Sequence, residues 1–207
     1  MTDSLDIPEL EDWIQDLEHS RDILYVLDRN LRIFYCNQAW NDFAEQNEGQ
    51  ELIRTSIFGQ SVLQAIAAPL QAFYATVFQH VRESGQPFEL EYECSSPELF
   101  RVFHMRILPV HGSERLLVIN SLAVERPHGL DRPAQPADHT RYTDEHGFVH
   151  MCSHCRRTRR VEDNHWDWVP SYLNQPPAPV SHGLCPACMV YFYPDQWKAL
   201  RHRIQLR

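Results

Sequence analysis

Alternation of hydrophobic and polar residues predicts β-strands in the first 125 residues. In residues 88–94, large apolar side chains alternate with Glu89, Glu91 and Glu93. A period of two is typical of a strand with one buried and one polar face. Four further strands are expected in the apolar runs near residues 23–27, 31–36, 100–110 and 116–124.

Helical periodicity separates the second strand from the third. Apolar residues recur at helical spacing from Pro69 to Glu83, and proline suits the first turn of a helix. Gly85 follows, where a helix commonly ends. Asn37 precedes a shorter amphipathic stretch as a candidate N-cap. The predicted order is two strands, several short helices, one longer helix and three strands.

A short amphipathic helix is predicted before the first strand. Leu10, Trp13, Ile14 and Leu17 fall at i, i+3, i+4 and i+7, which makes one apolar stripe. This stripe either packs on its own sheet or forms a homodimer contact through residues 10–17.

This order of elements resembles the PAS domain over about residues 20–125. The resemblance is carried by ILYVLDRNLRIFYCNQAWNDFA, FGQSVLQAI, the turn Gly85-Gln86-Pro87, and the final strands ending in LLVINSLAVE. It implies an α+β fold, in which a five-stranded antiparallel sheet is flanked by helices. It also implies a sensory or protein-interaction role.

The resemblance implies a cavity between the sheet and the helices. Trp40, Phe43, Phe73 and Tyr92 are candidates to line it, and the alternative is that they form plain core. Family members bind haem, flavin, small metabolites or nothing in this cavity. Whether a small molecule is bound in this chain stays open.

Two pairs of cysteines dominate the second half of the chain. Cys152 and Cys155 form one C-x-x-C pair, and Cys185 and Cys188 form another after 29 intervening residues. Four thiolates suit the tetrahedral shell of a structural zinc ion. The sequence therefore predicts a small zinc-ribbon-like module.

Two histidines are alternative ligands for this zinc ion. His154 lies inside the first pair and His182 just before the second. Either could replace a cysteine, or could hydrogen-bond a sulfur without binding the metal. The four-cysteine shell is the preferred prediction.

The same segment resembles a cysteine-containing element that follows sensor domains in bacterial signalling proteins. The matching stretches are MCSHCRRTR, WDWVPSYL and SHGLCPAC, within residues 148–194. We therefore divide the chain into an amphipathic helix (1–20), a PAS-like domain (21–125), a proline-rich linker (126–141), the cysteine module (142–194) and a basic tail (195–207).

Charge differs between the two halves of the chain. Residues 1–140 carry 10 basic and 22 acidic residues, a net charge of −12, whereas residues 141–207 carry 9 and 6, a net charge of +3. Basic zinc modules sometimes bind nucleic acid. The Arg156, Arg157, Arg159 and Arg160 cluster could do so, with Trp166, Trp168 and Tyr172 as stacking surfaces. The acidic balance of the whole chain disfavours this alternative.

The remaining predictions concern activity and location. The sequence contains no phosphate-binding loop, nucleophile elbow or metalloprotease motif. We therefore expect that the protein is not an enzyme. No apolar run approaches the length of a membrane span, and the acidic start lacks a signal pattern, so we expect a cytoplasmic protein. The first hypothesis is a signalling adaptor with a protein partner. The alternatives are a nucleic-acid-binding regulator and a thiol-redox sensor at the cysteine pairs.

Overall fold

The computed structural model describes residues 15–47, 49–128, 133–175, 177 and 179–198 of the 207-residue chain. The chain forms two compact units. The first comprises the chain up to Leu63 with Phe78–Phe88 and Met105–Ser121. The second comprises Gln64–Val77, Glu89–His104 and the chain from Leu122 onward.

Five strands form one antiparallel sheet in the order β2-β1-β5-β4-β3. The strands are β1 (Ile23–Leu27), β2 (Ile33–Cys36), β3 (Phe88–Glu93), β4 (Leu99–Pro109) and β5 (Leu116–Pro127). The central strand β5 pairs with β1, with Leu24 opposite Ile119 and Val26 opposite Leu117. This sheet confirms the predicted α+β, PAS-like fold class.

The helices between β2 and β3 follow the predicted order. They are α1 (Gln38–Gln46), a 3-10 helix (Gln50–Leu52), α2 (Arg54–Ile57), α3 (Val62–Ala65) and α4 (Ala68–Ser84). At the end of α4, Gly85 has a φ of +68° and its N–H donates to the Val81 carbonyl at 3.0 Å. A left-handed residue that satisfies a late carbonyl is the expected helix stop.

Strand β2 begins two residues later than the hydrophobic pattern predicts. Asp28 Oδ1 accepts hydrogen bonds from the N–H groups of Asn30 and Arg32, at 2.8 and 2.9 Å. Leu31 takes a φ of +58° in this turn. Since the side chain of Asp28 caps the loop, the turn includes Leu31 and Arg32 and the strand starts at Ile33.

Asn37 is the N-cap of α1, as predicted, and its side chain is fully buried. Its Oδ1 accepts from the N–H groups of Trp40 (3.2 Å) and Leu24 (3.0 Å). Its amide donates to the carbonyls of Asp22 and Leu17, at 2.9 and 3.1 Å. One side chain therefore joins β1, α1 and the segment before β1.

The cysteine module contains a small mixed sheet in the order β8-β7-β6-β9. Its strands are β6 (Val149–Cys152), β7 (Thr158–Arg159), β8 (Trp166–Asp167) and β9 (Val180–Gly183), and its helices are α5 (His139–Tyr142), α6 (Ser171–Asn174) and α7 (Pro186–Phe192). Strands β6 and β9 are parallel, with Met151 opposite His182. An apolar cluster is buried beside this sheet, formed by Tyr142, Val149, Met151, Val169 and Tyr172.

Two predicted segments fall largely outside the described residues. Of the Leu10–Leu17 stripe only Leu17 is described, and residues 15–18 are helical. Of the basic tail, residues 195–198 are described and helical. Within the described part of the chain, no helix is long and apolar enough to cross a membrane.

Candidate metal centre

The first cysteine pair lies in the turn between β6 and β7. The N–H of Arg156 donates to the Cys152 carbonyl at 3.0 Å, and the Cys152 N–H donates to the Arg157 carbonyl at 2.8 Å. Arg156 takes a φ of +60°, which turns the chain back toward β7. This tight turn places Cys152 and Cys155 on the same side of the module.

The second pair lies at the start of α7. Cys185 is the N-cap of this helix and Pro186 occupies its first turn, which suits proline. The Cys185 sulfur accepts from the Cys188 N–H at 3.4 Å, and the Cys185 N–H donates to the Cys152 sulfur at 3.3 Å. The second turn therefore hydrogen-bonds directly to the first.

The four sulfurs form one compact, buried group. All four Sγ atoms lie within 4.8 Å of one another, and those of Cys155 and Cys185 are 3.6 Å apart. A zinc–sulfur bond of about 2.3 Å gives a tetrahedron with an edge of about 3.8 Å. A disulfide would require about 2.05 Å. The spacing fits four thiolates around one tetrahedral ion such as Zn²⁺.

Hydrogen bonds among the four sulfurs shift the pKa values of these cysteines in opposite directions. The pKa of Cys152 lies far below its usual value because the neighbouring thiols, that of Cys155 first, hydrogen-bond its sulfur, as does the N–H of Cys185. The pKa values of Cys155 and Cys188 are raised, in both cases first by the hydrogen bond with Cys152. Metal binding requires thiolates, so a cation bound to the four sulfurs would have to stabilise the charge on these two.

The two histidines proposed as alternative ligands lie outside the four-sulfur group. His182 is exposed on β9. His154 is 7% exposed, and its Nε2 lies 3.2 Å from the Tyr193 hydroxyl. Burial lowers the pKa of His154 to about 4, so the ring is neutral at physiological pH.

The arginine cluster beside the first pair is partly used within the protein. Arg160 binds Asp167, with Nη2 3.0 Å from Oδ1, and also pairs with Asp163 at 3.3 Å. Arg156 donates from Nε to the Ser95 carbonyl at 3.4 Å. The proposed stacking residues are also largely covered, since Trp168 and Tyr172 are each 6% exposed. These contacts engage Arg156 and Arg160 within the protein, and nucleic-acid binding by the cluster stays a prediction.

The four residues proposed to line a PAS-type cavity divide between the two units. In the first unit, Trp40 donates from its indole N–H to the Leu52 carbonyl at 2.7 Å, and Phe43 is half-buried in α1. In the second unit, Phe73 contacts Tyr193 edge-to-face at 5.8 Å, and Tyr92 lies 5.9 Å from the His154 ring. A shared cavity for these four residues stays a prediction.

Sequence reasoning missed a buried row of polar aromatic side chains, namely His154, Tyr193 and Tyr74. The hydroxyls of Tyr193 and Tyr74 lie 3.1 Å apart, and the Tyr193 hydroxyl also contacts His154. Tyr74 is 5% and Tyr193 1% exposed. Tyr74 and Tyr193 are 119 positions apart, so no local pattern could have linked them.

No protein-family model matches this chain, and no curated protein matches it. Among solved structures, the chain is similar to the PAS domain of Bordetella pertussis BvgS, with 14% identity and a TM-score of 0.46 over 58% of this chain and 90% of that one. It is also similar to the PAS domain of the Cronobacter turicensis RpfR quorum-sensing receptor in complex with C12:0, with 18% identity and a TM-score of 0.40 over 51% and 97% of the two chains.

A third similar structure is a domain of an HTR-like protein from Haloarcula marismortui, with 16% identity and a TM-score of 0.38 over 51% of this chain and 100% of that one. The order of the elements and of the strands gives the N-terminal part of this chain a PAS-like fold, followed by a module with four clustered cysteines.

Proposed function

We propose that this protein is a non-enzymatic signalling adaptor in which a zinc ion at Cys152, Cys155, Cys185 and Cys188 holds the cysteine module against a PAS-like sensory domain. The observation that carries the proposal is the buried row of His154, Tyr193 and Tyr74. It joins the two cysteine turns to the long helix α4 within the second unit.

Both module residues of the row depend on the cysteine turns for their positions. His154 lies between Cys152 and Cys155 in the first turn. Tyr193 follows α7, whose N-cap is Cys185, and its N–H donates to the Met189 carbonyl at 3.0 Å. A metal ion that fixes both turns therefore also fixes the imidazole and the phenol that contact each other.

The PAS-like side of this contact is formed by α4 and the end of β3. Phe73 and Tyr74 of α4 both lie edge-to-face with the Tyr193 ring. After β3, the Ser95 N–H donates to the His154 carbonyl at 3.4 Å. The contact is thus made by buried hydrogen bonds and aromatic rings, which have few alternative arrangements.

Such a contact can transmit a change in either direction. If the module is ordered only when metal is bound, loss of the metal releases Tyr193 from Tyr74 and alters α4. A signal that moves α4 would in turn disturb the row. A protein partner that contacts either side of the row would respond to such a change.

Zinc removal followed by hydrogen exchange tests this function. In the parent protein, chelation of zinc should accelerate exchange in residues 68–77 of α4 as well as in the module. In Tyr74→Phe, which removes one hydroxyl of the row, this effect of zinc on α4 should shrink by about half or more.

Tyr142→Phe is the matched control, because it removes a buried hydroxyl that binds Asp167 at 2.7 Å elsewhere in the module. It should leave the effect of zinc on α4 unchanged. Exchange in residues 68–77 that is the same with and without zinc in the parent would overturn the proposed coupling.

The redox alternative is less well supported by the geometry. Cys152, Cys155 and Cys185 are each at most 1% exposed, and Cys188 is 5% exposed. Oxidants react with accessible thiolates, so full burial slows this chemistry. We therefore place the thiol-redox role second, and slow zinc release by mild peroxide is its expected signature.

A further inference from the structure

A pocket of about 450 Å³ lies in the second unit beside the candidate metal centre. One wall comes from the five-stranded sheet, including Phe100, Val102 and Val124. The opposite wall comes from the cysteine module, including Arg157 and Tyr191. This volume is within the range of small-molecule sites in proteins.

The pocket is on the opposite face of the sheet from the aromatic pair Tyr92 and Phe103. Successive side chains of a strand point to opposite faces. Phe100 and Val102 line the pocket, whereas Phe103 stacks on Tyr92 at 5.8 Å on the other face. The pocket is therefore distinct from the cavity between sheet and helices that the PAS resemblance implies.

Two ionisable side chains of opposite charge line this pocket without a partner. The Arg157 side chain is half-buried and the Glu91 side chain is exposed, and neither side chain makes a hydrogen bond or ion pair with a residue that the structure describes. A second carboxylate, Glu93, also lines the pocket, but it is buried and accepts a hydrogen bond from the Ser95 hydroxyl at 2.6 Å. The neighbouring Arg156 and Arg160 are both engaged. The Arg157 guanidinium offers parallel N–H donors that no acceptor among the described residues takes up, and this geometry suits a ligand carboxylate.

We propose that this pocket binds a small zwitterion with an apolar side chain, of the amino-acid or dipeptide class. Its carboxylate would bind Arg157 and its ammonium group Glu91. Its side chain would rest on Phe100 and Val102, with the exposed Tyr191 at the rim. The inference goes beyond the signalling role and does not depend on the coupling between Tyr193 and Tyr74.

Binding of L-phenylalanine to the full-length protein, measured by titration calorimetry, tests the site. Two analogues separate the charges, because N-acetyl-L-phenylalanine lacks the ammonium group and L-phenylalaninamide lacks the carboxylate. Each analogue should bind about tenfold or more weakly than the parent amino acid, as expected for a lost hydrogen bond to a charged group.

Variants assign each charge to a side chain. Arg157→Gln should weaken the binding of L-phenylalanine about tenfold. It should leave the binding of L-phenylalaninamide unchanged, because this analogue has no carboxylate to bind Arg157. Glu91→Gln should weaken the binding of L-phenylalanine. It should leave the binding of N-acetyl-L-phenylalanine unchanged, because this analogue has no ammonium group to bind Glu91. Arg29→Gln removes an exposed arginine far from the pocket in sequence and should change nothing.

Two results would overturn the proposal. One is no detectable binding of L-phenylalanine to the folded parent protein up to its solubility limit. The other is binding that Arg157→Gln and Glu91→Gln both retain in full, which would place the ligand elsewhere. The zinc content and circular dichroism of each variant must match those of the parent.

Discussion

The part of the chain around the five-stranded sheet and the cysteine module differ in the kinds of side chain that they bury. In the first unit, the buried centre consists of large apolar side chains that are at most 2% exposed, namely Leu24, Val26, Leu27, Ile57, Phe78, Val81, Ile107, Leu116 and Val118. In the module, four cysteines fill one of two small buried clusters. A module of about 50 residues rarely has enough apolar core to fold alone. Apolar side chains therefore fill the buried centre of the first unit, whereas cysteine sulfurs fill one of the two buried clusters of the module, for which we propose stabilisation by a metal ion.

The largest expected effect is the loss of the module without its metal. Cys185→Ser removes one ligand together with the N-cap sulfur of α7. Because structural zinc sites contribute about 10 kcal/mol or more to folding, we expect residues 142–194 to unfold while the five-stranded sheet persists. Elemental analysis should find about one zinc per parent chain and none in the variant, and hydrogen exchange should report the unfolding.

Cys94→Ser is the matched control, since Cys94 is a half-buried free cysteine after β3. It should retain the zinc and the protected module. Two results would contradict a role for metal in the module. One is a module that stays protected from hydrogen exchange in Cys185→Ser, and the other is a folded and reduced parent protein without zinc. The cysteine cluster would then be an ordinary buried core.

Asn37→Ala is expected to have the next largest effect, and on the sheet rather than the module. The substitution leaves the buried N–H of Leu24 without its acceptor and removes the N-cap of α1. The loss of these bonds should destabilise the first unit by about 3 kcal/mol in chemical denaturation.

Asn30→Ala provides a control in an exposed turn and should change stability by less than about 0.5 kcal/mol. Zinc content should be the same in both variants. If Asn37→Ala released zinc as readily as Cys185→Ser, the sheet and the module would share one source of stability.

The smallest effect concerns the acid behaviour of the turn before β6. The pKa of Asp144 is lowered to about 2, first by the hydrogen bond from the Phe148 N–H and then by that from His150. A lowered pKa means that the ionised carboxylate stabilises the folded turn above about pH 4, and that this contribution is lost as the pH falls toward 2.

Carbon-detected NMR titration measures this pKa directly. The Asp144 carboxyl should remain ionised at about pH 4, where an ordinary aspartate is half protonated. In protein without zinc, the same carboxyl should titrate near its ordinary value, because the turn is lost with the module. Identical titrations with and without zinc would mean that this turn folds independently of the metal.

The elements of the fold were largely predictable from local sequence. The alternation in β3, the N-cap at Asn37 and the stop at Gly85 all depend on residues within a few positions of one another. The start of β2 was misplaced because Asp28 caps a turn that includes the apolar Leu31. Glu93 also departs from the pattern, since this residue of the acidic face is only 6% exposed and accepts from the Ser95 hydroxyl at 2.6 Å.

The two C-x-x-C pairs and the order of strands and helices could be read from the sequence, because spacing and periodicity are local properties of the chain. The contacts of the Tyr193 hydroxyl with His154 and with Tyr74 depend on tertiary packing and are seen only in the structure. It alone also placed Arg157 and Glu91 around one pocket. In the aromatic row, the contacting residues are 39 and 119 positions apart along the chain. Such pairs depend on how whole elements pack, which no local pattern encodes.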